Sequence, residues 1–274
     1  MTIIQALLFA IIQGITELFP VSSVAHAVLT PFLFGWDLGP EFLKEHFLPF
    51  VVMLHLGTAV ALLIFFWRDW WSFLMGVLTA RDPNARRTFF LVVVATVPAA
   101  LLGLIFQKML QSIFSSVSSA AFFLIVNGFI LFIGERLKGR GAREVHELTF
   151  GQALIIGLAQ SLALVPGFSR SGASMVAGFW AGLRHEASAR FSMLLATPII
   201  AGAGILVVPK MIHTASGEMV RVAAIGGLAS GLFAFVAVWA LMRWFRKHEV
   251  NAMGPFAVYC WLLGSVVLAI HWFG

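Results

Sequence analysis

Six apolar stretches dominate this chain: Phe47 to Trp67, Phe89 to Phe106, Val117 to Gly134, Phe191 to Val208, Val222 to Met242 and Gly254 to Phe273. Each is long enough, or nearly so, for an α-helix rising about 1.5 Å per residue to cross a hydrocarbon core of about 30 Å. A soluble core has no use for so many such runs. Composition agrees: 60% of the residues are hydrophobic, 11% are charged and the mean hydropathy is +0.96, against roughly 25% charged residues in an average globular domain. The expectation is an all-α polytopic membrane protein forming one integral domain over residues 1–274.

Two further apolar regions are too short to span. Ile3 to Ile15 ends at Glu17 and Pro20, and Gly172 to Leu183 follows a break at Pro166 and Gly167. The two breaks share a pattern at a constant offset of 147 positions: Gln5, Ala6, Leu7, Gln13 and Ser22 recur as Gln152, Ala153, Leu154, Gln160 and Ser169. This is the signature of an internal repeat. Paired interrupted segments in corresponding positions of two halves point to a site near the membrane midplane.

Loop charges give the orientation. Arg68, Arg81, Arg86 and Arg87, then Arg136, Lys138, Arg140 and Arg143, then Arg243, Arg246 and Lys247 cluster in three loops, whereas the opposing loops hold Lys44, Lys108, Lys210 and Arg221. The positive-inside rule places the three rich loops in the cytoplasm and both termini outside. Parity then makes each broken region enter and leave on one face, from opposite faces. The expected architecture is two inverted-topology repeats, about residues 1–146 and 147–274, each a re-entrant helical hairpin plus three transmembrane helices. Non-helical backbone at that depth needs protein or water around it, which puts both hairpin tips inside the bundle.

Other classes are weakened by the same reading. The net charge of +6 and pI near 10.2 belong to cytoplasmic loops, so no nucleic-acid partner is expected. Cys260 is the one cysteine, which excludes an internal disulfide. The N-terminal run lacks the basic start and small-residue cleavage site of a removable signal peptide. Gly178-x-x-x-Gly182 and Gly227-x-x-x-Gly231 allow close helix approach, expected within the bundle rather than between protomers.

Ionised groups at bilayer depth need a reason, and Glu17 and Arg170 are the two that most need one. A structural ion pair between the hairpins is the plain explanation. Their neighbours suggest more. Gln13 and Glu17 share a helix face near a helix end, oxygen ligands suited to a hard cation such as Mg²⁺ or Ca²⁺ with substrate and water completing the shell. Ser22 or Ser23 can cap a helix from Val24 to about Phe34, and Ser169 to Ser171 a helix from about Gly172. Two helix N-termini with Arg170 make a phosphate site in general form, with Ser22, Ser169, Ser171 and Gly172 lining it. Ser23 as nucleophile with His26 as base is one arrangement, His26 activating a water or attacking directly being the alternatives. His55 lies in mid-span and is read as a packing residue, lining of the same cavity being the alternative.

Gln13-Gly-Ile-Thr-Glu17-Leu-Phe-Pro20-Val-Ser-Ser-Val-Ala-His26 and Pro166-Gly-Phe-Ser-Arg-Ser-Gly172 resemble the bacterial undecaprenyl-pyrophosphate phosphatase family, linked to bacitracin resistance, and the resemblance extends along the whole chain. Val24 and Ala25 stand where the family pattern has Thr and Gly, so residue 24 brings no hydroxyl to phosphate. The resemblance implies hydrolysis of a polyprenyl pyrophosphate to its monophosphate for cell-wall synthesis, a divalent cation, interlocked inverted repeats in the inner membrane, a periplasmic opening, and leaves a homodimer open. It favours catalysis by Glu17, Ser23 and His26 with Arg170 holding phosphate. A transporter or flippase of an anionic polyprenyl lipid is the competing reading, since inverted repeats meeting at helix ends are also transporter anatomy.

Overall fold

The computed structural model describes residues 1–39, 42, 46–106, 116–137, 141–248 and 251–273, with the backbone alone for Lys210 and Thr214. Lys44, Lys108, Lys138 and Arg140, used above for orientation, lie outside the described residues. Eleven α-helices are described: α1 (Ile3–Thr16), α2 (Ser23–Phe34), α3 (Phe47–Phe65), α4 (Trp67–Thr79), α5 (Pro83–Ile105), α6 (Val117–Arg136), α7 (Phe150–Gln160), α8 (Arg170–Trp180), α9 (His185–Thr214), α10 (Gly217–Lys247) and α11 (Gly254–Phe273). Short 3-10 turns cover Val145–Glu147 and Ser161–Leu164.

Six of these, α3, α5, α6, α9, α10 and α11, are long and apolar enough to cross a membrane, and they coincide with the six stretches of the sequence. The chain is a polytopic, nearly all-helical membrane protein. Its outward surface fits that solvent: Ile105, Ile205, Leu206, Leu228 and Leu232 are exposed, as suits side chains that meet lipid rather than water. Helix α4 is the element that hydropathy did not suggest. Arg68 and Asp69 sit in its first turns, and Trp67 and Trp71 lie exposed on it, the composition of a helix at a membrane interface.

Capping explains where the short helices begin. Thr2 and Gln5 form a reciprocal capping box at α1, Gln5 N donating to Thr2 Oγ1 at 3.2 Å and Thr2 N to Gln5 Oε1 at 2.8 Å. Thr149 and Gln152 do the same at α7, at 3.1 and 2.9 Å. Such boxes satisfy backbone donors that the helix itself cannot. Ser22 caps α2 by accepting from Ala25 N, and Ser169 caps α8 by accepting from Gly172 N. All four caps respect the offset of 147 positions.

Packing is reciprocal as well. Helix α1 lies on α2 and on α10, while α7 lies on α8 and on α5. Helix α3 packs on α10 and α9, and α11 on α6. Gly57 meets the backbone of Gly227 and Gly231, so a Cβ at Gly57 would collide with Gly227 O. The Gly227-x-x-x-Gly231 motif therefore serves contact inside the bundle. Fully buried Leu18, Leu62, Leu91, Leu124, Leu131, Phe179, Phe191 and Phe245 form the main core around the two breaks.

Candidate active site

Local breaks create the site. Helix α1 ends at Thr16, and Pro20 bars its continuation. Ser22 takes φ 64°, ψ 93° before α2 begins, a positive φ that a side-chain-bearing residue adopts only when its surroundings enforce it. In the second region Gly167 takes φ +114° tight against Phe123 and Ala120 O, a position only glycine suits.

One residue ties the breaks together. Asn127, buried in the middle of α6, donates through Nδ2 to Pro20 O at 3.0 Å and accepts through Oδ1 from Ser169 N at 3.0 Å. Ser171 Oγ adds a second tie, donating to Phe19 O at 3.1 Å, and pairs with Ser169 Oγ at 3.0 Å. Backbone polar groups of both loops, which could not be left bare at this depth, are thus satisfied by side chains.

Glu17 lies at the centre, 7% exposed. Its Oε1 pairs with Arg170 Nη2 at 3.3 Å. Its Oε2 accepts from Ser23 Oγ at 2.5 Å and from Gln13 Nε2 at 3.3 Å, and lies 3.1 Å from His55 Nε2. The acid of one break and the guanidinium of the other therefore meet in one pocket, as expected. Arg170 Nη1 donates to Ser192 O at 3.0 Å, while its buried Nε has no partner among the described residues. An unpaired N–H on a buried guanidinium is costly unless something is meant to accept it.

His26 is placed differently from expectation. Its Nδ1 is 2.7 Å from Ser22 O, and its Nε2 is 2.7 Å from Tyr259 Oη, with the two rings parallel to within 4°. A carbonyl can only accept, so Nδ1 carries the proton and Nε2 accepts from the tyrosine hydroxyl. The Ser23 and His26 dyad is not formed. Ser23 Oγ donates its hydrogen bond instead to Glu17 Oε2, the break at Ser22 setting the start of α2 against the end of α1.

Other expected site residues serve the frame. Ser22 is a cap, Ser169 Oγ caps Gly172 N, and Ser171 ties the breaks. Gly172 lies close to Leu131 and Pro20, where a Cβ would crowd both. Of the two readings of His55, the cavity holds over plain packing, since its Nε2 lies on Glu17; Tyr259 and Asn127 are participants that no sequence pattern marks. A lone ionisable residue in mid-span was the available signal for His55.

The donor set does not fit a resident divalent cation as it stands. Glu17 offers no oxygen free of donors, two of which belong to Arg170 and His55, and Gln13 turns its amide nitrogen toward the carboxylate. Among the described residues no three His, Cys, Asp or Glu side chains gather as a metal site.

A model of the family described as bacitracin resistance protein BacA matches residues 6–266. Undecaprenyl-diphosphatase 2 of Oenococcus oeni is 49% identical over 269 residues, covering 98% of each chain. Undecaprenyl-diphosphatase of Acidiphilium cryptum is 48% identical over 283 aligned positions, covering 100% of each. That of Granulibacter bethesdensis is 47% identical, covering 98% of this chain and 97% of the relative.

Proposed function

The chain belongs to the BacA bacitracin resistance family, and from that premise we propose that it hydrolyses undecaprenyl diphosphate to undecaprenyl phosphate and inorganic phosphate. It is a membrane hydrolase that recycles a lipid carrier of cell-wall synthesis and confers bacitracin resistance. One observation carries the chemistry: Ser23, Glu17 and Arg170, a nucleophile, an acceptor for its proton and a phosphate fork, meet in one buried pocket. A transport reading is not favoured, since the relatives bear the name of a hydrolase.

The chemistry follows from these contacts. Arg170 exchanges Glu17 for oxygens of the diphosphate, its unpaired Nε joining the grip, with the first turn of α8 and the Ser169, Ser171 and Gly172 backbone beside it. Ser23 Oγ attacks the terminal phosphorus and passes its proton to Glu17 Oε2. The bridging P–O bond breaks, undecaprenyl phosphate leaves, and the phosphoryl group remains on Ser23. Water then attacks that phosphorus, its proton going to His26 Nε2 once the Tyr259 hydroxyl yields the position. Ser23 recovers its proton from Glu17. Positioning and charge stabilisation supply most of the rate, as in phosphoryl transfer generally. A divalent cation, Mg²⁺ or Ca²⁺, would enter with the diphosphate and neutralise part of its charge, and no step above depends on it.

The finer architecture is proposed in the same way. Two inverted repeats, about residues 1–146 and 147–274, each hold a re-entrant hairpin and three spans, interlocked through α1 on α10 and α7 on α5. The matched capping boxes and this crossed packing support it. The protein would lie in the bacterial inner membrane with both termini periplasmic, as the loop charges suggest, and a homodimer is part of the proposal. The test is release of inorganic phosphate from undecaprenyl diphosphate by the detergent-purified chain, with Mg²⁺ or Ca²⁺ present or chelated. Release by the parent and none by Glu17→Ala is expected; equal release by both would refute the assignment.

A further inference from the structure

We infer that His55 is a positioning residue of the hydrolytic site, holding the Glu17 carboxylate with one edge toward Ser23 while its other edge is surrendered by Arg170. The inference rests on the proposed roles of Ser23 and Glu17. It begins with the two nitrogens of one ring. His55 Nδ1 lies 2.7 Å from Val51 O, the carbonyl one turn back along α3. That atom only accepts, so Nδ1 carries a proton, and the ring is turned with Nε2 toward α1. Nε2 then lies 3.1 Å from Glu17 Oε2. Neither an imidazole lone pair nor a carboxylate lone pair alone could make that contact favourable, so one proton lies between the two atoms.

A packing histidine would have been satisfied by Val51 O alone. Here the second nitrogen is aimed at the carboxylate oxygen that also receives Ser23. Two charged side chains bear on the ring, Glu17 from α1 and Arg170 from α8. In the arrangement seen, Arg170 grips Glu17 Oε1 and His55 grips Oε2, which fixes the carboxylate plane from both edges. A diphosphate needs the same guanidinium. When Arg170 turns to phosphate oxygens, His55 remains on Glu17 Oε2 beside Ser23 and Gln13. The carboxylate therefore stays aligned with Ser23 through the step in which it must accept a proton, and this is where alignment governs rate. Loss of His55 should appear in turnover and not in affinity, because His55 touches Glu17 and not the head group.

Steady-state phosphate release from undecaprenyl diphosphate by the detergent-purified full chain tests this, with thermal midpoints recorded alongside. His55→Leu removes the contact at similar volume and is expected to lower kcat by about 10- to 100-fold, the scale of one hydrogen bond to a charged group, with KM within about twofold. His55→Gln keeps an N–H that reaches Glu17 and should recover most of the loss. Should the leucine variant not fold, His55→Asn, whose amide falls short of Glu17, takes its place against His55→Gln. Unchanged kcat in His55→Leu, or a glutamine variant no better than leucine, overturns the inference. Ser23→Ala is measured in parallel: full turnover there would refute the underlying site, whereas loss in Ser23→Ala with none in His55→Leu refutes only the role of His55.

Discussion

The two broken regions, Thr2–Phe34 and Thr149–Trp180, share a frame and divide the chemistry. Both open with a Thr and Gln capping box, both place a glutamine late in the first helix, and both restart on a serine cap. At the same offset of 147 positions Glu17 faces Leu164, Ser23 faces Arg170 and His26 faces Ala173. On the proposed assignment, acid, nucleophile and imidazole lie in one region and the phosphate fork in the other. The frame is matched between the regions, and the proposed reaction falls on positions where the match fails. Gln13 and Gln160 make the point within one residue type: Gln13 donates to Glu17, whereas Gln160 donates to Ala95 O at 2.7 Å and its Oε1 has no partner among the described residues.

The sharpest way to break this comparison is to remove chemistry from one side at a time. Ser23→Ala should lower kcat by at least about 10³-fold, as loss of a nucleophile does, and Arg170→Ala by about 10²-fold or more, as loss of a preorganised charge contact does. Phosphate-release assays read both. A variant of either with parental turnover would mean that the two regions do not share a site. Next in size is Asn127→Leu, which strips a partner from a backbone group in each break and should cost about 3 kcal/mol, summing two buried groups left unsatisfied. Thermal unfolding in detergent measures it, and a midpoint unchanged within error would remove Asn127 as the tie.

The paired glutamines sharpen the comparison further. Gln13→Leu should lower kcat by about tenfold or more through loss of a bond to a carboxylate, while Gln160→Leu should leave turnover intact and change stability by less than about 1.5 kcal/mol. Equal effects on turnover would erase the division of labour. Smallest are the caps: Thr2→Ala and Thr149→Ala should each cost about 1 kcal/mol and leave kcat unchanged. Equivalence of the pair in thermal midpoint is the outcome a repeated frame predicts.

Much of this frame could be read from residues near one another in the chain. Apolar run length marked the six long helices, and Pro20, Pro166 and Gly167 marked the breaks. Helix α4 is missed because Arg68 and Asp69 cut its hydropathy, although its tryptophans suit an interfacial position. Glu17 and Arg170 stood out because charge is expensive in a bilayer. Local spacing misled at Ser23 and His26, which are three apart on one helix, yet the ring is drawn to Ser22 O and to Tyr259 on α11. Asn127, His55 and Tyr259 act through partners distant in sequence, and each is a single polar side chain in an apolar run. No local pattern announces such a contact; only the packing of α6, α3 and α11 around the breaks does.

The central claim is that Glu17 and Arg170, drawn from different regions, act on one diphosphate head. A double-mutant cycle on kcat/KM for undecaprenyl diphosphate, using Glu17→Gln, Arg170→Ala and the pair together, tests it most directly. Residues acting as a unit should give a double variant scarcely slower than the worse single variant. Losses that multiply in full would contradict the account, for they would place the two side chains in independent roles.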